Sequence, residues 1–427
     1  MHTPAIQLRA GTEPGEVTFG YDELIYSRTD PRGVIRAGNT VFQRMCNMQF
    51  NDLIGAPHRV IRHPDMPKGF FFLFWQMLKQ GLPAAGFVKN ARKGGGHYWV
   101  LAAATPCDGG YCSIRMRPST PLFETIKQEY AALVQRERNE NLTAAASADI
   151  LRDRLRALGF ADYNAFAAQI IADEIRARDA ILGLPPDAET AALAALLRNL
   201  METLDQQSRL VAQFSDLVLL PVNMRLVAAR LEPQGGPISQ ISVNYKVASE
   251  EIARRLSGIV SGKSNICGRM AQTVRQSLTL SGFARLQAEL VRSYDRHDPN
   301  YTGEERRKEL QELCNLRDFN YREAGAALKE AESLAGSLNE ASTDLRRMIL
   351  GLDTIRILAR VESRKSQESQ LALTATIDRI DEVQGLISDS LKRLAEQTFA
   401  INNSLAVLRR TDAAGAPRGP GAKPRAA

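Results

Sequence analysis

A chain of 427 residues is long enough for about two or three domains, and its 44% hydrophobic and 24% charged content is ordinary for a globular protein. The formal net charge of +7 arises from basic residues interspersed with acidic ones, so the sequence lacks the long basic run typical of nucleic-acid binding. The longest apolar run, Gly69 to Trp75, is far shorter than the ~20 residues of a membrane helix. We therefore expect a soluble protein with no membrane span and no nucleic-acid partner.

Five cysteines, an odd number with no paired spacing, indicate reduced thiols and a cytoplasmic location. The N-terminus has acidic residues and no apolar segment, so it does not read as a signal peptide. Cys107 and Cys112 flank a turn, where they would be either a redox pair or two small buried thiols, and the second reading is favoured.

Residues 1–20 read as a flexible N-terminus, and residues 21–121 as one domain of short elements. Two strands, Leu24 to Arg28 and Val34 to Arg36, flank a turn that contains Pro31 and Gly33. Asn39 then stands in a good position to cap a short helix.

The second half of this domain begins with a helix, Phe70 to Lys79, which Gly81 and Pro83 end. Three strands follow, at Gly86–Ala91, His97–Thr105 and Tyr111–Met116. This order predicts an α+β domain in which a five-stranded antiparallel sheet packs against short helices.

Beyond residue 121 the sequence is helical in character, because Ala, Leu, Arg, Glu and Gln predominate. Residues 122–184 read as a helical connector, and residues 185–410 as a helical bundle or coiled coil for signalling or dimerisation. The last segment, residues 411–427, is rich in Gly, Pro and Ala and is expected to be disordered.

Four motifs in residues 21–118 stand out together. They are RHPDMP at residues 62–67, a helix Trp at Trp75, VKN at residues 88–90, and HYWV at residues 97–100 after a glycine-rich turn. In this order they resemble the PAS domain of bacterial aerotaxis receptors. The resemblance implies a PAS sensor domain that binds FAD and reports the redox state or oxygen supply of the cell.

The resemblance also implies which residues hold the flavin. By their positions in the motifs they are Asn39, His58, Arg62, His63, Asp65 and Trp75. Ala84 departs from the family, which usually has an aromatic residue there, and the apolar helix GFFFLFWQML could fill the cavity with side chains.

The chemistry of these residues suits a flavin, which needs a flat apolar slot and a few polar groups. Trp75 can stack on the ring, Arg62 can pair with a phosphate or a ring carbonyl, and Asn39 and Asn90 offer amide contacts. Each residue also has a structural interpretation. His58 and His63 would be hydrogen-bonded loop residues, Arg62 and Asp65 a surface ion pair, and Trp75 part of the core. Asp65 could instead orient Arg62 or His63.

The segment around Asn223, Ala228 to Arg230 and the Gly235-Gly236 pair loosely resembles the hairpin tip of methyl-accepting chemotaxis proteins. This likeness implies a chemotaxis-type partner, and the long helices predict a homodimer. Because no motif of an output enzyme or metal site is present, we expect a non-enzymatic sensor. The alternative is a PAS scaffold or dimerisation protein without a cofactor.

Overall fold

A computed structural model describes residues 15–230, 236–260, 265–294, 299–365 and 367–415. The chain forms two compact units. One is built from the chain up to Ala194 together with Arg275–Ala326, and the other from Ala195–Val274 together with the chain from Ala327 onward. The first unit therefore takes in the expected connector and also a segment of about 50 residues from the later helices, which the sequence did not separate from the bundle.

The sheet of the first unit has strands β1 Ile25–Thr29, β2 Ile35–Gly38, β3 Ala84–Ala91, β4 His97–Cys107 and β5 Gly110–Met116. They pair in the order β2-β1-β5-β4-β3, and all neighbouring strands are antiparallel. The expected five-stranded antiparallel sheet is confirmed. Strand β5 lies at its centre, between β1 and β4, so its inward side chains sit in the middle of the domain.

The register of the central strands bears on the two neighbouring thiols. Cys112 lies opposite Thr105, while Cys107 lies opposite Gly110. The two cysteines are therefore not a cross-strand pair, and both are free thiols. Burial raises the pKa of Cys107 to about 11, so this thiol stays protonated at neutral pH.

Short helices cover one face of the sheet. They are α1 Thr40–Cys46, α2 Phe50–Leu53 and α3 Lys68–Lys79, with a 3-10 turn at His58–Ile61. The predicted cap at Asn39 is confirmed, since its Oδ1 accepts a hydrogen bond from Phe42 N at 3.1 Å. Helix α3 approaches β3 so closely that a Cβ at Gly86 would lie 2.3 Å from the ring of Phe70.

The expected connector consists of α4 Pro121–Asn139, α5 Ala144–Ala157 and α6 Tyr163–Leu182. It packs on the sheet domain. Glu137 Oε1 accepts hydrogen bonds from the free N–H groups of Lys68, at 2.7 Å, and Gly69, at 3.3 Å, at the start of α3. Phe123 packs against Phe87 and Trp99 on the sheet face away from α3.

Long helices make up the remainder of the chain. They are α7 Ala188–Arg230, α8 Gly236–Val260, α9 Ile266–Tyr294, α10 Gly303–Ser363 and α11 Gln367–Gly415. The expected long helical region is confirmed. Helix α7 continues through Pro221, and α8 and α9 are separate helices.

The two ends of the chain lie largely outside the described residues. Residues 1–14 and 416–427 are not described, whereas Val17 N donates to His97 O at 2.8 Å and Phe19 is buried. The segment just before residue 21 is thus part of the sheet domain. In the described residues one helical stretch, Ala188–Val227, is long and apolar enough to cross a membrane. A single stretch does not establish a membrane protein, because core helices of soluble proteins pass the same test.

Candidate functional site

A cavity of about 520 Å³ lies between α3, the 3-10 turn and the inner face of the sheet. Its volume is within the range of about 300–1,000 Å³ that is usual for small-molecule sites. Phe70, Phe71, Phe74 and Trp75 of α3 contribute aromatic walls, and small alanines of β4 leave space opposite them. The aromatic helix therefore lines the cavity and does not fill it.

Four of the seven residues predicted for the site line this cavity: His58, Arg62, Trp75 and Asn90. The guanidinium of Arg62 lies 3.9 Å from the ring centre of Phe71, in a cation–π contact. Trp75 is half-buried and meets Tyr111 edge to face, with ring centres 5.3 Å apart. Arg62 and Trp75 thus keep part of their surface available to a ligand.

The other three residues do not line the cavity. Asn39 accepts hydrogen bonds from Tyr26 N, at 3.0 Å, and Phe42 N, and it donates to Leu24 O at 2.8 Å. These bonds tie the start of α1 to β1. A role of Asn39 in flavin binding stays a prediction, and both acceptor sites of its Oδ1 are taken by hydrogen bonds within the fold.

His63 and Asp65 belong to a polar cluster beside the cavity. Asp65 Oδ2 lies 3.3 Å from Lys89 Nζ, its Oδ1 lies 3.1 Å from Arg138, and its backbone N–H donates to His63 Nδ1. Partial burial opposes ionisation, but the hydrogen bonds from Arg138 and Lys89 outweigh it and lower the pKa of Asp65. The cluster holds the RHPDMP segment against β3 and α4, and its flavin role also stays a prediction.

Arg115 is a cavity residue that the sequence analysis missed. It is 2% exposed, and its guanidinium donates to the hydroxyls of Ser27 and Ser113 and to His58 Nε2. Among the described residues it has no carboxylate partner, and its Nη1 has no hydrogen-bond acceptor. Burial lowers the pKa of Arg115 but leaves it charged at neutral pH, so a positive charge lies uncompensated at the cavity wall.

His58 is held in one protonation state by this arrangement. Because a guanidinium can only donate, His58 Nε2 must accept, and its ring is neutral. Burial and, secondarily, the charge of Arg115 lower the pKa of His58 well below its usual range. Its ring stacks on Phe42 at 6.3 Å between centres.

Three buried polar atoms on the cavity lining lack a partner among the described residues: Arg115 Nη1, Asn90 Nδ2 and Thr29 Oγ1. Buried polar atoms in folded proteins are nearly always hydrogen-bonded, so this set indicates a ligand that brings its own acceptors. Two of the three atoms are obligatory donors. The ring carbonyls and nitrogens of a flavin are acceptors, so this donor set and the aromatic walls fit a flavin.

The alternation of β5 was the signal by which Arg115 could have been found. Tyr111, Ser113 and Arg115 occupy alternate positions and all line the cavity. Within the described ranges, no group of three or more His, Cys, Asp or Glu side chains is arranged to hold a metal ion.

Comparison with known proteins gives one informative relative. The chain is 41% identical over 117 residues to the aerotaxis receptor of Escherichia coli strain K12, a match that covers 26% of this chain and 23% of the receptor. No protein-family model matches the chain.

Solved structures with partial similarity include two light-oxygen-voltage domains. One comes from a study of flavin analogues, with 18% identity, 27% of this chain and 87% of that chain covered, and a TM-score of 0.21. The other is the light state of the Aureochrome1 photoreceptor domain. It is 16% identical, the match covers 28% of this chain and 91% of that chain, and the TM-score is 0.21. These scores are too low to support an argument. The sequence match and the sheet described above identify the N-terminal domain as a PAS domain of the aerotaxis-receptor type.

Proposed function

We propose that this chain is a cytoplasmic, non-enzymatic sensory transducer whose PAS domain binds FAD and responds to redox state or oxygen. The signal passes through the helical region to a chemotaxis-type partner, and the working form is a homodimer. The aerotaxis receptor supports this proposal through its PAS domain alone, because the chain spans only 23% of the length of that relative.

The uncompensated charge of Arg115 at the wall of an aromatic cavity carries the proposal. A buried charge without a partner is costly, and proteins retain such groups where a ligand completes them. A flavin supplies acceptor atoms along one edge of a planar ring, and its electron uptake adds negative charge to that ring. Arg115 and Asn90 would hold this edge, while Trp75 would contact the ring face.

Arg62 would take a separate part of the ligand. Its guanidinium is half-buried and lies over Phe71, whereas that of Arg115 is enclosed. A phosphate keeps much of its hydration when it binds near solvent, so Arg62 is the better partner for the phosphates of FAD. Arg115 is left to the ring.

Purified full-length protein should bind FAD, which absorbance of the protein as isolated and a fluorescence titration with added FAD will show. Arg115→Gln removes the charge and should weaken FAD binding about 10- to 150-fold, since a hydrogen bond to a charged group contributes roughly 1.5–3 kcal/mol. Arg117→Gln is the matched control, because Arg117 donates to Phe19 O away from the cavity and should leave affinity unchanged.

The stability of the ligand-free variants separates a binding role from a structural one. Arg115→Gln removes a buried charge without a counter-ion but also hydrogen bonds to Ser27, Ser113 and His58, so we expect the free protein to lose no more than about 1–3 kcal/mol in urea unfolding while it loses affinity. A protein that is colourless and does not bind added FAD would refute the flavin proposal. The cofactor-free scaffold would then be the better account.

A further inference from the structure

Strand β1 presents different contacts on its two faces. On the cavity side, Ser27 Oγ accepts a hydrogen bond from Arg115, and Thr29 lines the cavity. Tyr26 and Arg28 alternate with them and project from the opposite face. Residues on the cavity side of β1 are therefore direct chain neighbours of residues on the opposite face of the sheet.

On that opposite face, Tyr26 and Arg28 both bind Glu309 of helix α10. Arg28 Nε and Nη2 donate to the two carboxylate oxygens at 2.8 and 2.7 Å, and the hydroxyl of Tyr26 donates to Oε1. Glu309 is 5% exposed, and the Arg28 side chain keeps 24% of its surface exposed, so the contact is only partly shielded from solvent. A bidentate guanidinium–carboxylate pair fixes direction as well as distance, so movement of β1 alters the bond to α10.

A second contact holds the start of α10 to the next strand. Tyr301, two residues before α10, exchanges hydrogen bonds with Gly38 of β2: its hydroxyl lies 2.9 Å from Gly38 N and 2.8 Å from Gly38 O. Its ring meets Phe50 edge to face at 5.3 Å. The start of the helix is therefore fastened to the two strands β1 and β2 and not to a surface loop.

Helix α10 contributes residues to both compact units. Gly303–Ala326 belongs to the unit that contains the cavity, and the residues from Ala327 to Ser363 belong to the other. A change in how Glu309 is held thus acts on an element that both units share.

We infer that the contact of Glu309 with Tyr26 and Arg28 is the output connection of the ligand cavity. A ligand that engages Arg115 changes its bond to Ser27, and β1 transmits that change to Glu309. The inference rests on the proposed function only for the identity of the ligand. It requires that occupancy of the cavity and the integrity of the Glu309 contact bias the same equilibrium of α10.

Hydrogen exchange of the full-length protein measures this coupling directly. FAD should change the protection of Gly303–Ala326 at least threefold in the wild-type chain. Glu309→Gln should still bind FAD, with an affinity changed by no more than the coupling itself, and should lose that response. Glu289→Gln is the matched control: Glu289 forms a comparable bidentate pair with the buried Arg178 in the same unit, without touching β1, and the response should persist.

Two additional variants keep the inference open to refutation. Tyr26→Phe removes a single hydrogen bond and no packing, so it should reduce the response without loosening α10, even if Glu309→Gln frays the helix. Arg115→Gln perturbs the cavity face without any ligand. In the ligand-free chain it should alter the protection of Gly303–Ala326, and that effect should disappear when it is combined with Glu309→Gln.

The outcomes separate the two proposals. If FAD binds and the protection of Gly303–Ala326 does not change, or if Glu309→Gln keeps the full response, the inference is wrong and the flavin proposal stands. If FAD does not bind, the flavin proposal fails and the Arg115→Gln comparison decides. Unaltered protection of α10 in that variant would then overturn the inference as well.

Discussion

The two tryptophans of the PAS domain lie on opposite sides of its sheet, and this makes them a matched pair for testing the cavity. Trp75 is half-buried on α3 and lines the cavity. Trp99 is 6% exposed and packs against Phe123 at 5.4 Å, on the face away from the cavity. We expect Trp75→Ala to lower flavin affinity and Trp99→Ala to lower mainly stability.

The expected magnitudes differ in kind. Stacking between an aromatic side chain and a heteroaromatic ring is worth about 1–3 kcal/mol, so Trp75→Ala should raise the Kd for FAD roughly 5- to 150-fold. Truncation of a fully buried tryptophan costs about 3–5 kcal/mol, which we expect for Trp99→Ala. Because Trp75 is only half-buried, its truncation should cost about half as much, ~2 kcal/mol.

The assay must separate the two effects, because an unfolded fraction loses flavin whatever its cause. Fluorescence titration with FAD gives the Kd at a temperature where circular dichroism shows both variants to be folded, and urea unfolding of the free proteins gives the stability. Equal losses of affinity per folded molecule in the two variants would show that Trp75 is core only. A loss confined to Trp99→Ala would place the ligand on the other side of the sheet.

Three further outcomes are expected. His58 is neutral in the fold, so below about pH 6.5 the unfolded chain takes up a proton that the native chain does not. Between pH 7 and 5 the ligand-free wild type should therefore lose about 2 kcal/mol of stability that ligand-free His58→Gln does not lose. Equal losses of stability in the two proteins, measured by urea unfolding at both pH values, would contradict this. Gly86→Ala places a Cβ against Phe70 and should destabilise the protein by about 1–3 kcal/mol in thermal unfolding. The control Gly325→Ala has no neighbour within 4 Å and should be neutral or stabilising. Equal melting temperatures for the two variants would refute the close approach of α3 to β3. One face of α10 exposes three apolar side chains, Leu350, Ile357 and Val361, which are 62%, 55% and 55% exposed. Light scattering should therefore report a dimer, and the double variant Ile357→Lys with Val361→Lys should be a monomer. A wild type that is monomeric at all concentrations would exclude the homodimer.

Local chemistry made the sheet domain predictable from sequence. The turn at Asp30–Gly33 and the Asn39 cap depend on hydrogen bonds between near neighbours, and the structure has both. The boundaries of the domain were less accessible. Glu137 caps the start of α3 from a helix about 70 residues later, and nothing in a linear pattern indicates which helix terminus a distant carboxylate will serve.

The cavity was predictable in part for the same reason. His58, Arg62 and Trp75 stand close together in sequence and could be found as a group, whereas Arg115 reaches them only through the pairing of β5 with β1. Asp65 illustrates the converse. Its position in the RHPDMP motif suggested a ligand contact, which stays a prediction. Its pairing with Lys89 and Arg138 is visible only in the three-dimensional arrangement.

The ion pair between Arg28 and Glu309 has a consequence for how the protein matures on the ribosome. Its partners are 281 residues apart in the chain. At a synthesis rate of about 5–20 residues per second, Arg28 therefore precedes its partner by roughly 15–60 s, far longer than a small sheet domain needs to form. During that interval Tyr26 and Arg28, on the outer face of β1, have no contact with Glu309 because α10 has not been made. The first compact unit is thus complete only after Arg275–Ala326 has been synthesised, and until then the outer face of β1 lacks its helix.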